Sequence, residues 1–94
     1  MAKAIWNEVV VAESDDVVEV ENRLYFPHES VKMEYLKANG RTYHCAWKGE
    51  ADYYDVIVGD KVCEDGSWSY PRPSEAARKI AGRFGFWRGV QVVR

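Results

Sequence analysis

Turn-forming residues interrupt this chain at short intervals, and most of the apolar stretches between them are only long enough for short β-strands. Ala4 to Trp6 gives way to the polar pair Asn7-Glu8, then to the β-branched run Val9-Val10-Val11. Ser14-Asp15-Asp16 reads as a turn, since such side chains hydrogen-bond the nearby backbone. Val17 to Val20 and Arg23 to Phe26 pattern as a hairpin across Glu21-Asn22, ended by Pro27, which has no N–H to give a ladder. His28 to Lys32 suits a single helical turn, and Met33 to Lys37 fits helix or strand. Asn39-Gly40 predicts a hairpin turn, because both residues tolerate positive φ. Further strands are expected at Thr42 to Ala46, Ala51 to Val58, Lys61 to Glu64 and Ser67 to Tyr70, with turns at Gly59-Asp60 and Asp65-Gly66.

One segment differs. Ala76, Ala77, Ile80, Ala81 and Phe84 recur at helical spacing behind Ser74 as N-cap and Glu75 in the first turn. Gly82 suits the left-handed position that ends a helix, so a short C-terminal helix is predicted over residues 74–82. Phe86-Trp87, a turn at Gly89 and Val90 to Val93 then close the chain. The expected fold is a mainly β, compact single domain spanning 1–94, a complex sheet with one late helix and no place for a βαβ nucleotide-binding unit.

A chain of 94 residues builds a thin core, and its four Trp and six Tyr are one way to fill it. The net charge of −2 argues against wholesale nucleic-acid binding. It hides an asymmetry: residues 1–71 carry 7 basic and 14 acidic groups, whereas residues 72–94 carry six basic groups against Glu75 alone. Such a basic third fits an acidic protein partner, or simply complements the rest within one fold. Cys45 and Cys63 are too few for a disulfide scaffold, and with no C-x-x-C pair no metal site and no cofactor is implied. Without an apolar leader in MAKAIWNE or a membrane-length apolar run, a cytoplasmic protein with reduced thiols is expected.

Chemistry concentrates in Tyr43 to Tyr54. Trp47, Lys48, Gly49 and Glu50 sit at a strand–turn–strand connection, where loops commonly carry function. Trp47 offers a stacking face, Lys48 can hold a phosphate or carboxylate, Gly49 allows close backbone approach and Glu50 can act as an acid or base. Cys45 and His44 are neighbours on a strand and point to opposite faces, so they do not form a nucleophile–base pair. In W-S-Y-P-R-P, Trp68 and Tyr70 share a strand face and Arg72 lies between two prolines, available for an anion. A groove walled by Trp47, Tyr53 or Tyr54, Trp68 and Tyr70, with Lys48 and Arg72 as cations, is the expected ligand site. Lys48, Glu50 and Cys45 are the candidate catalytic groups.

Four segments, W-N-x-V-V-x-A-E-S-D, R-x-Y-F-P at 23–27, C-x-W-K-G-x-A-x-Y-Y at 45–54, and W-x-Y-P-x-P followed by A-A-R-x-I-A-G, resemble bacterial domain-of-unknown-function family 427 over nearly the whole chain. The resemblance implies a tent-like β fold similar to Mss4-like proteins, though this sequence lacks their paired zinc cysteines. It also carries a nucleotidyltransferase label. Gly66-Ser67 is followed by Trp68, Ser69 and Tyr70, not by the D-x-D or D-x-E pair that holds Mg²⁺ in polymerase-type transfer. The leading expectation is a small-molecule binding module for an anionic or aromatic, nucleotide-like ligand. The alternatives are an enzyme acting on nucleotides or phosphorylated compounds, and an interaction module using the basic third.

Overall fold

A computed structural model describes residues 1–94, and the short apolar runs become nine strands. β1 (Ala2–Trp6) and β2 (Val9–Ser14) pair antiparallel around Asn7 and Glu8, both at positive φ (49° and 67°), the turn geometry that matches strand twist. β3 (Val18–Val20) and β4 (Arg23–Tyr25) repeat this at Glu21 and Asn22. Single 3₁₀ turns at His28–Ser30 and Met33–Tyr35 lead into β5 (Leu36–Cys45), β6 (Gly49–Val58) and β7 (Lys61–Ser69). β8 (Phe84–Phe86) and β9 (Gln91–Val93) finish the chain.

The strands form three sheets, ordered β2-β1-β9, β3-β4 and β5-β6-β7-β8. Phe26 and Phe84 exchange backbone hydrogen bonds of 2.8 and 2.9 Å, tying the β3-β4 hairpin to the edge of the large sheet. Two hydrophobic clusters result. The larger gathers Val11, Phe26, Val56, Phe84 and Phe86, and the smaller Val20, Tyr25, Trp68, Tyr70 and Ile80.

Three sequence expectations need correction. Asn39-Gly40 is no hairpin turn. It lies inside β5, where Asn39, Gly40 and Arg41 bulge opposite Tyr53, between the pairs Ala38–Tyr54 and Thr42–Asp52. Asp65-Gly66 likewise does not split the following strand, because β7 runs through a matching bulge opposite Asp55, with Asp65 at φ 55°. The two bulges hold each other. Asn39 Nδ2 donates to Asp55 and Asp65, each at 2.7 Å, and Arg41 Nε donates to Asp65 at 3.0 Å. Asn-Gly and Asp-Gly supply the positive φ that a bulge and a turn both demand, so composition alone does not separate them.

The predicted helix over 74–82 is a run of 3₁₀ turns, Glu75–Ile80, broken at Ala77 (φ −110°, ψ 21°). Ser74 makes no side-chain cap; its hydroxyl donates instead to the carbonyl of Trp47. Ala77 and Ile80 are still the buried pair, which is the apolar spacing that looked helical.

Trp68 pairs with Gly85 across β7 and β8, and a Cβ on Gly85 would come within 2.4 Å of the Trp68 ring. Gly85→Ala should therefore destabilise the protein by about 1–3 kcal/mol through overpacking. Urea unfolding checks this, and a loss below about 0.5 kcal/mol, the range of ordinary surface changes, would contradict it.

Candidate functional site

The inner face of the β5-β6-β7 sheet is set by cross-strand pairing, because residues directly opposite each other share a face. Tyr43 pairs with Ala51, and Tyr53 with Trp68, so these four project together. Tyr70, two residues beyond Trp68, follows on the same face. The β3-β4 hairpin covers this surface with Glu21, Arg23 and Tyr25, and Trp87 closes the end after β8. Between them lies an open cavity of about 340 Å³, which Lys48 also lines.

The rings hold one another. Trp68 Nε1 donates to the Tyr25 hydroxyl at 3.2 Å, and the two rings meet edge-on at 5.9 Å. Trp87 lies 4.9 Å from Trp68 and near-parallel to Tyr53 at 6.4 Å. Tyr70 is only 3% exposed, and its hydroxyl makes no hydrogen bond within the protein. No side-chain polar atom is both sealed from solvent and unpartnered, so that hydroxyl keeps some solvent contact, and Tyr70 lines the cavity. Burial pushes the Tyr25, Tyr53 and Tyr70 phenols up, so all three stay protonated at neutral pH and can donate.

Lys48 is 8% exposed and reaches Glu21 across the cavity from one hairpin tip to the other. Trp47 Nε1 donates to the second oxygen of the same carboxylate at 3.2 Å, and the ammonium lies 5.5 Å from the Trp47 ring and 5.6 Å from the Tyr70 ring. Burial pulls the Lys48 pKa down, but the Glu21 hydrogen bond and nearby phenol and thiol groups leave it raised. Hydrogen bonds from Lys48 and Trp47 hold Glu21 below the ordinary carboxylate value. The chain behind this tip is fixed: Ser74 N–H donates to the Lys48 carbonyl at 2.8 Å, and a Cβ on Gly49 (φ 108°) would lie 3.3 Å from Ser74 N. Gly49 thus serves close packing against residues 72–74 and does not line the cavity.

Of the residues expected at the site, the structure brings Lys48, Tyr53, Trp68 and Tyr70 to one cavity. Trp47 flanks the Lys48–Glu21 pair from outside, 42% exposed. Glu50 is exposed opposite His44, Arg72 is exposed, and Tyr54 faces the other way against Phe84, 5.2 Å between rings. Cys45 packs against the smaller cluster outside the cavity lining, while His28 lies against Phe84. No group of three or more His, Cys, Asp or Glu side chains converges in a way that would hold a metal ion.

Sequence reasoning missed Glu21, Arg23, Tyr25 and Trp87, and named Tyr43 only as the start of its segment. The R-x-Y-F-P motif did contain Arg23 and Tyr25 at the two-residue spacing of one strand face. Trp87 carried no local signal, since tertiary pairing alone brings it there. Basic groups of the last third pair within the fold: Arg78 with Glu75 at 2.9 Å, Arg83 with Asp16 at 3.4 Å and Arg94 with Glu19 at 2.9 Å.

Fold and site together define a small, mainly β protein with an open aromatic cavity lined in part by one ion pair. The chain belongs to the family described as Domain of unknown function (DUF427), whose model matches residues 1–94. Among curated proteins, none matches the sequence. No helix is long and apolar enough to cross a membrane.

The ion pair has a defined pH dependence. Glu21 titrates below its ordinary 4.5 in the folded state, so its contribution is present above that value and lost as pH falls through the lowered one. Melting temperatures should show Glu21→Gln below the native protein at pH 7, with the gap closing in strong acid. A gap that is constant across that range would contradict the pairing.

Proposed function

We propose that the protein is a binding module for a small molecule with a planar, nucleotide-like ring, held in the cavity between the β3-β4 hairpin and the β5-β6-β7 sheet. The observation that carries this reading is Tyr70, a nearly buried residue that lines the cavity and whose hydroxyl has no protein partner. A polar group in such a place is a ready partner for a ligand. The volume of about 340 Å³ lies at the small end of ligand sites, which run from roughly 300 to 1,000 Å³. Tyr53, Trp68 and Trp87 offer faces and edges for stacking, which is worth about 0.5–1.5 kcal/mol per aromatic pair beyond burial. Lys48 is tied to Glu21 and Glu50 lies outside, so the geometry supports binding ahead of acid–base transfer chemistry.

Titration of anionic and aromatic metabolites by Trp fluorescence should find a ligand. Tyr70→Phe should weaken that ligand about tenfold, the equivalent of one hydrogen bond. The same substitution should leave the melting temperature unchanged, because the hydroxyl has no partner in the protein. Undiminished affinity in Tyr70→Phe, or no ligand at all, would remove the reading.

A further inference from the structure

A second cavity, of about 400 Å³, adjoins the first and shares Arg23 and Trp87 with it. It is also lined by Arg88, Asn22, Arg94 and Glu19. The two cavities differ in character, since rings dominate the first, whereas the second sets Arg23, Arg88, Arg94 and Glu19 among mostly aliphatic side chains. Arg94 is matched by Glu19 at 2.9 Å. Arg23 and Arg88 form no ion pair; each lies over the Trp87 ring, at 5.4 and 4.8 Å from its centre. Stacking orients a guanidinium plane while leaving its N–H edge free for a bidentate anion.

The other cations at the site are engaged or remote. Lys48 is neutralised by Glu21, and Arg72 is exposed outside both cavities. Arg88 also occupies a costly position. It sits at φ 59° in the turn closed by the Val90 N–H to Trp87 carbonyl bond of 3.0 Å, where Gly or Asn would be less strained.

We infer that the two cavities form one bipartite site, in which Arg23 and Arg88 hold an anionic arm, phosphate or carboxylate, attached to the ring that lies in the aromatic cavity. This rests on the ring-binding reading above and names the chemistry of the ligand's other end. Trp87 is the shared wall, so the arm leaves the ring cavity across its edge. Charge-assisted bonds to two free guanidiniums give the anionic form its advantage over the neutral ring.

The test is calorimetry at low salt with two matched pairs: adenosine against adenosine 5′-monophosphate, and indole against indole-3-acetate. In the native protein the anionic member of at least one pair should bind ~10-fold or more tightly than its neutral partner, and the pair that shows it tells phosphate from carboxylate. In the double variant Arg23→Gln/Arg88→Gln that ratio should fall towards one. Neutral and anionic members binding equally well, or a ratio that survives the double variant, would overturn the bipartite site while leaving ring binding intact. Binding by none of the four would remove both.

Discussion

The structure turns on the contact between the Trp68 indole and the bare backbone of Gly85. That contact lets β8 lie flat against β7, which in turn brings Phe84 to Phe26 and docks the β3-β4 hairpin. With the indole in place, its N–H meets the Tyr25 hydroxyl and its edge meets Trp87. The aromatic cavity is a consequence, because a thin sheet carrying large rings leaves space between them that no aliphatic side chain fills. One packing event therefore fixes both the smaller core cluster and the site.

Charge placement follows a second constraint. The paired bulges of β5 and β7 gather Asn39, Arg41, Asp55 and Asp65 into a closed set of hydrogen bonds. Burial pushes Asp55 up, but the Asp65 N–H, Asn39 and Arg41 leave it below the usual carboxylate range. Elsewhere Glu21 takes Lys48, and Asp16 and Glu19 take two arginines of the basic last third. The charge split along the chain is in part complementarity within the fold. Arg23 and Arg88 remain over Trp87 without an acid.

Much of the strand order was legible because Asn7-Glu8, Glu21-Asn22 and Gly59-Asp60 are turns with local chemistry. The bulges were not, since Asn39-Gly40 and Asp65-Gly66 carry the same local signal as a hairpin and only pairing with β6 distinguishes them. The 74–82 segment has the apolar spacing of a helix, yet Ser74 is drawn to the Trp47 carbonyl and Lys48 carbonyl, leaving the segment as 3₁₀ turns. At the site, Trp68 and Tyr70 were readable from two-residue spacing, and Lys48 from its turn. Trp47, Glu50 and Arg72 were drawn in by proximity in sequence, whereas Glu21, the partner of Lys48, comes from a hairpin more than twenty positions earlier.

The central claim is that a ligand enters between Tyr53, Trp68, Tyr70 and Trp87. The most direct measurement is nuclear magnetic resonance of the four indole N–H groups, assigned by single substitution, during titration with planar anionic metabolites. Trp68 and Trp87 should shift together and saturate at one ligand per chain, while Trp6, packed against the larger cluster, stays fixed. Saturable shifts at Trp6 without movement of Trp68 and Trp87 would contradict the account.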